Sequence, residues 1–247
     1  MSIRVAVVGA TGRMGQLFLR LIEETDGFEL HAGLSSRDSL DELLGADLVV
    51  DVTVPAVSPG IVEKAVRARI PVLVGTSGWS EPRLADLRRV VAEVDGPGVL
   101  VIPNFSVGSV LATTFATMAA RFFDSVEIIE THHPGKVDSP SGTAIRTAEL
   151  IADASRDLGP VRAPHVDQRA RGQQIASVPV HSLRLPGIEA RQEVVFGGSG
   201  ETLSLTHDTT SQAAYEKGIL VALAAAPAIT GVVVGLDRVL PLGSPAA

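Results

Sequence analysis

Ile3-Arg4-Val5-Ala6-Val7-Val8-Gly9-Ala10-Thr11-Gly12-Arg13-Met14-Gly15 is the stretch from which the fold is read. A β-branched run stops at a glycine turn, and from Met14 to Glu24 residues such as Leu17 and Leu21 recur at helical spacing. This pattern predicts strand, tight turn and helix. Glycines spaced G-x-x-G-x-x-G in that setting let backbone N–H groups approach a pyrophosphate at the positive end of a helix. Gly9, Ala10, Thr11, Gly12, Arg13 and Met14 are therefore candidate contacts to a dinucleotide, with a plain tight turn as the competing reading.

The alternation continues outward from this turn. Phe28 to Leu34, Asp47 to Thr53, Val72 to Gly75 and Val99 to Ile102 read as strands, and Ile61 to Arg69 and Pro82 to Val94 as helices. Continuous apolar strands alternating with helices predict an α/β fold, a doubly wound parallel sheet that binds ligands at the carboxyl ends of its strands. After Pro103-Asn104 the texture changes. A helix from Val107 to Arg121 leads to strands of period two at Ser125 to Thr131, Val180 to Leu185, Arg191 to Phe196 and Thr202 to His207, interrupted by a helix from Thr143 to Asp157. Gly197-Gly198-Ser199-Gly200 joins the last two strands as a hairpin. Gly159 to Val178 has little periodicity and reads as a long mobile loop, a candidate lid. The helix Ala213 to Ala226 and the strand Val232 to Val234 resemble the first region again, and the tail Pro241 to Ala247 is expected to fray. The expected domains are 1–105, 106–212 and a return over 213–247.

Composition narrows the function classes. A net charge of -7 argues against a general nucleic-acid binder, because that affinity comes from many Lys and Arg on one surface. Zero Cys removes disulfides, thiolate zinc sites and a Cys nucleophile, and fits a reducing compartment such as the cytoplasm. Val5 to Val8 is too soon interrupted by Gly9 for a signal peptide. The apolar stretch from Gly218 to Ala226 falls short of the ~20 residues of a membrane span, so no membrane partner is expected.

The acidic residue that ordinarily holds a ribose 2′-hydroxyl, about 20 residues past the glycines, is replaced by Ser35-Ser36-Arg37. Two hydroxyls and a guanidinium suit a 2′-phosphate, so NADPH is favoured over NADH. The alternative is a solvated loop, with Asp38 within reach of a ribose. Gly75-Thr76-Ser77-Gly78 and Pro103-Asn104-Phe105 close two strands at the edge where a nicotinamide should lie, although the first is also compatible with a simple turn.

Glu130-Thr131-His132-His133-Pro134-Gly135-Lys136-Val137-Asp138-Ser139-Pro140-Ser141-Gly142-Thr143-Ala144 gathers two His, one Lys and a helix start. At Pro140-Ser141-Gly142-Thr143 the free N–H groups, which Pro140 itself lacks, are expected to face outward toward a substrate carboxylate. His exchanges protons near neutral pH and Lys supplies charge or a proton, which together suit a small dianion. A His-His-Asp metal site competes poorly because adjacent side chains on an extended segment diverge, so no metal is expected. A capped helix beside a solvated loop is the plainer reading. His31, His165, His181 and His207 stand apart and read as structural or exposed.

Glu130 to Ala144 resembles the E-x-H-H-x-x-K-x-D-A-P-S-G-T-A signature of the 4-hydroxy-tetrahydrodipicolinate reductases, with Ser139 in place of the usual Ala. Val8 to Gly15, Asp51-Val52-Thr53 with Pro55, Gly75-Thr76, Pro103-Asn104-Phe105 and Glu193 to His207 extend the resemblance over nearly the whole chain. It implies a Rossmann-like dinucleotide domain, an α+β substrate and tetramerisation domain with a mixed open sheet, and a C-terminal return. It also implies His132 as acid/base, Lys136 as proton donor, and His133, Gly142 and Thr143 as contacts to a small dicarboxylate substrate. Three departures stand out: Ser35 and Ser36 replace the more usual acidic nucleotide selector, Ser77 replaces a Thr, and Gln212 stands where relatives often carry Arg.

Two other readings compete. Short-chain-type reductases share Gly-Ala-Thr-Gly-x-x-Gly but need a Tyr with Lys four residues later, and the one tyrosine, Tyr215, is followed by Ile219. An NADPH-binding sensor without turnover would not need His132, His133, Lys136 and Gly142-Thr143 together. The amphipathic open sheet, partly covered by one helix, points with the resemblance to a homotetramer.

Overall fold

The computed structural model describes residues 2–241. In chain order the elements are β1 (Ile3–Val8), α1 (Arg13–Glu24), β2 (Phe28–Leu34), β3 (Leu48–Asp51), α2 (Ser58–Arg67), β4 (Val72–Val74), α3 (Glu81–Glu93) and β5 (Val99–Val101). There follow α4 (Val107–Ala119), β6 (Ser125–His132), α5 (Gly142–Ala154), β7 (Gln173–Ile175), β8 (Val178–Arg184), β9 (Ala190–Gly198) and β10 (Glu201–Thr209). The last elements are α6 (Glu216–Ala225) and β11 (Val232–Val234). Ser106–Ala214 forms one compact unit, and the described residues on either side of it form the other.

The flanking unit carries a six-stranded sheet in the order β11-β5-β4-β3-β1-β2, parallel throughout. β3, β4 and β5 are buried along their whole length, as expected of strands covered by helices on both faces. α1 turns Leu17, Phe18, Leu21 and Ile22 inward, and the Phe18 ring meets Phe105 edge-on at 5.5 Å. Truncating a fully buried Phe such as Phe18 costs about 3–5 kcal/mol. Because β2 and β3 flank β1 on opposite sides, the strand order reverses at β1, and the glycine turn after it sits at that switch. β3 stops at Asp51 rather than running to Thr53, because Asp51 and Thr53 bond to each other and turn the chain.

The unit Ser106–Ala214 holds a mixed open sheet in the order β10-β9-β6-β8-β7, in which only β6 and β8 run parallel. α5 makes the crossover between these two strands. Alternate residues Val126 and Ile128, Val178 and Val180, and Val194 and Phe196 pack with Ala116, Ala144, Ala148 and Ile151 of α4 and α5. The segment from Gly159 to Val178 is not a wholly irregular loop. It contains a 3-10 turn at Arg169–Arg171 and the edge strand β7, joined to β8 through Ala176 and Ser177, both at positive φ. A primed two-residue turn is usually announced by Asn-Gly or Asp-Gly, and Ala-Ser carries no such signal. Beyond Pro241 the expected fraying of the tail lies outside the described residues. No helix among the described residues is long and apolar enough to cross a membrane.

Candidate active site

The turn after β1 is built for close backbone approach. Gly9 has φ +91°, and a Cβ there would meet the Val52 carbonyl oxygen at 2.5 Å. A Cβ on Gly15 would meet the Gly9 oxygen at 2.1 Å, whereas one on Gly12 meets nothing closer than 3.4 Å. The outer glycines therefore hold the turn, and the middle one leaves its surface open. Gly9 and Ala10 donate their amides to the Leu34 carbonyl, and Gln16 Nε2 donates to the Ala10 carbonyl at 2.7 Å, so the turn is fixed from behind. Thr11, Gly12 and Arg13 are exposed, and α1 begins without a side-chain cap or an acidic residue in its first turn. An uncapped positive helix end behind an open glycine fits a pyrophosphate.

At the end of β2 the Asp38 carboxylate accepts both the N–H and the hydroxyl of Ser35 at 2.7 Å, and these bonds hold Asp38 below the usual carboxylate range. The turn thus contains a carboxylate after all, and it engages the Ser35 donors. Ser36 and Arg37 remain exposed beside it.

Two of the expected nicotinamide-edge side chains point inward. The buried Asp51 carboxylate accepts from the Thr53 hydroxyl at 2.5 Å and from the Ser58 hydroxyl, which in turn accepts from the Trp79 indole at 3.0 Å. Thr76 Oγ1 accepts the Thr53 N–H at 2.8 Å and donates to the Asp51 carbonyl at 3.3 Å, tying the loops after β3 and β4 together. The Phe105 ring is buried against Phe18, and a Cβ on Gly75 would strike it at 2.7 Å. The Thr76 and Phe105 side chains are therefore turned into the fold rather than toward the open edge. Ser77 and Pro103 are exposed and Asn104 is half-buried. Val54 and Val57, also exposed after β3, form an apolar feature at this edge that had no periodicity to announce it.

In the other unit the centre of the arrangement is Glu130, which is fully buried near the end of β6. Its Oε2 lies 2.5 Å from His132 Nδ1, and Arg184 of β8 grips both oxygens at 3.0 Å. Oε1 also accepts the Ser141 N–H at 3.2 Å. Burial pushes the carboxyl upward, but hydrogen bonds from His132, Arg184 and Ser182 outweigh it and hold the group at about 2. Glu130 is thus an ionised acceptor, which places the His132 proton on Nδ1 and leaves Nε2 facing away from it.

His133-Pro134-Gly135-Lys136 forms a turn closed by the Lys136 N–H on the His133 carbonyl at 3.1 Å. Lys136 Nζ donates to Asp138 Oδ1 at 2.8 Å, and that bond holds the Asp138 carboxyl below its ordinary value. Arg184 donates to the Lys136 carbonyl at 3.3 Å and the Asp138 carbonyl at 2.6 Å. α5 starts at Gly142 with Ser141 as its cap, its hydroxyl accepting the Ala144 N–H at 3.2 Å. The expected row of outward amides is shortened accordingly, since Ser141 donates its own N–H to Glu130. Gly142 is exposed and Thr143 half-buried. His132, Lys136 and the start of α5 are thus bound into one assembly by Glu130 and Arg184. Arg184 carried no sequence signal, while Glu130 was visible only as the first letter of the signature.

Among the described residues no three His, Cys, Asp or Glu converge as a metal site. His181 Nε2 pairs with Glu127 at 2.8 Å and His207 Nε2 with the Ser106 hydroxyl at 3.2 Å, so neither stands alone. Gln212 opens a 3-10 turn and is exposed.

The family models "Dihydrodipicolinate reductase, N-terminus" and "Dihydrodipicolinate reductase, C-terminus" match residues 3–105 and 108–240. A 4-hydroxy-tetrahydrodipicolinate reductase of Clavibacter michiganensis subsp. michiganensis is 60% identical over 98% of this chain and 87% of its own length. One from Streptomyces griseus is 44% identical over 98% and 99%. The dipicolinate-bound dihydrodipicolinate reductase from Paenisporosarcina sp. TG-14 superposes with a TM-score of 0.84 at 32% identity, covering 97% of this chain and 100% of that one.

Proposed function

The chain belongs to the dihydrodipicolinate reductase family, and from that premise we propose that it reduces 4-hydroxy-tetrahydrodipicolinate to tetrahydrodipicolinate with loss of water. This is a step of diaminopimelate and lysine biosynthesis, placed here in the cytoplasm. The observation that carries the reading is the ionised, buried Glu130 holding His132 beside the Lys136 turn and the start of α5. Bound NAD(P)H supplies the hydride. Gly9 to Met14 take the pyrophosphate, while Gly75, Thr76, Ser77, Pro103, Asn104 and Phe105 border the nicotinamide, the inward-turned Thr76 and Phe105 through their main chain.

His132 and Lys136 move the protons that expulsion of water and charge balance require. His133, Gly142 and Thr143 hold the two carboxylates, for which the dipicolinate in the Paenisporosarcina protein is the precedent. NADPH binds at least as well as NADH, because Ser36 and Arg37 stand exposed beyond the Asp38–Ser35 clasp and can pair with a 2′-phosphate. The protein acts as a homotetramer, with the sheet face opposite α4 and α5, which carries the part-exposed Ile129, Leu183 and Val195, as the contact surface. Calorimetry with dipicolinate tests the substrate assignment. The NADPH-loaded protein should bind it and His133→Ala should weaken that binding, whereas no binding by either protein counts against a dicarboxylate site.

A further inference from the structure

We propose that Glu130 and Arg184 are positioning residues that set both proton-transfer groups, Glu130 through the His132 ring and Arg184 through the turn carrying Lys136. The proposal rests on the roles given above to His132 and Lys136.

The geometry assigns the two residues distinct tasks. Glu130 has its hydrogen-bonding capacity filled by His132, Arg184, Ser141 and Ser182. A saturated, buried carboxylate cannot swing away to another partner. It also lies two residues before His132 on one strand, so both side chains leave the same sheet face. His132 is thereby held by Nδ1 with a single ring orientation, and Nε2 is the nitrogen presented for proton exchange. Arg184 faces His132 across the parallel β6–β8 pair. Its planar fork spends two N–H groups on Glu130 and reaches on to the carbonyls of Lys136 and Asp138. A lysine at 184 retains the charge but cannot span these four acceptors at once. Arg184 also compensates the Glu130 charge, without which a buried carboxylate would take up a proton and release His132.

Double-mutant cycles read these linkages directly. Glu130→Gln should lower kcat by about ten- to a hundredfold with little change in KM for NADPH, within the range of a single positioned acid or base. In a His132→Gln background the same substitution should cost almost nothing further. Nitrogen NMR of the His132 ring should show the Nδ1–H form in the native protein and a mixed or reversed tautomer in Glu130→Gln. Arg184→Lys should likewise lose rate in the native background and lose little more when Lys136 is already Ala, and it carries the test if Glu130→Gln does not fold. Fully additive losses in these cycles, with an unchanged ring tautomer, would overturn the positioning roles. If His132→Gln and Lys136→Ala themselves keep near-native kcat, it is the underlying assignment of catalytic groups that fails instead.

Discussion

A Cβ on Gly15 would stand 2.1 Å from the carbonyl oxygen of Gly9. The first turn of α1 therefore lies against the end of the glycine turn with no room for a methyl group. Gly15→Ala must push the helix away from the turn, and loss of most NADPH and NADH affinity is expected by calorimetry. Gly12→Ala, whose nearest neighbour is 3.4 Å away, should fold normally. Equal affinity in Gly15→Ala and the native protein would show that the turn does not carry the nucleotide.

Arg37→Ala should weaken NADPH roughly tenfold or more, since a lost charged partner costs about 1.5–3 kcal/mol, and leave NADH nearly unchanged. Asp38→Asn should shift the ratio the other way, toward NADPH, by removing the carboxylate clasped by Ser35. Equal losses for both cofactors in Arg37→Ala would mean that it does not read the 2′-phosphate.

His132→Gln should reduce kcat by about 10² to 10⁴ with a modest change in KM. Lys136→Ala should be worse, because it removes a proton donor and a compensating charge together, and His133→Ala should act mainly on substrate KM. NADPH affinity should survive all three substitutions, because the nucleotide site proposed at Gly9 to Met14 lies in the other unit.

Acid stability should carry the signature of Glu130. Its folded value of about 2 lies below the ordinary 4.5, so its contribution is complete above pH 4.5 and is lost as the pH falls through that window toward 2. The difference corresponds to about 3 kcal/mol. Urea unfolding at pH 5 and pH 3 should show a smaller acid-induced loss in Glu130→Gln than in the native protein. Identical losses would mean that Glu130 is not held ionised by its partners.

Light scattering should give a tetramer at micromolar concentration, and Ile129→Lys on the sheet face away from α4 and α5 should shift it toward smaller species. A native monomer would contradict the assembly.

Much of this was legible in the chain itself. β2 was readable to the residue because Asp26-Gly27 and Ser35-Ser36 bracket it, and β11 because Val232 to Val234 is an isolated β-branched run. β7 was not, since three residues of Gln-Gln-Ile become a strand only by pairing with β8. The inward turn of Thr76 and Phe105 was equally hidden, because the residues that close a strand reveal where it ends and not which way its neighbours point. Arg184 lies 54 residues from Glu130, and no local pattern links a buried carboxylate to so distant a partner. His132, Lys136 and Glu130 stood together in one stretch, whereas Arg184, which ties them together, comes from another strand.

Turnover is read from the loss of NADPH absorbance in the presence of enzymatically generated 4-hydroxy-tetrahydrodipicolinate. The native protein should consume NADPH in proportion to the substrate supplied, with His132→Gln and Lys136→Ala as folded, cofactor-binding controls of greatly reduced rate. NADPH binding with no substrate-dependent oxidation by the native protein would rule out a reductase and identify a nucleotide sensor in its place.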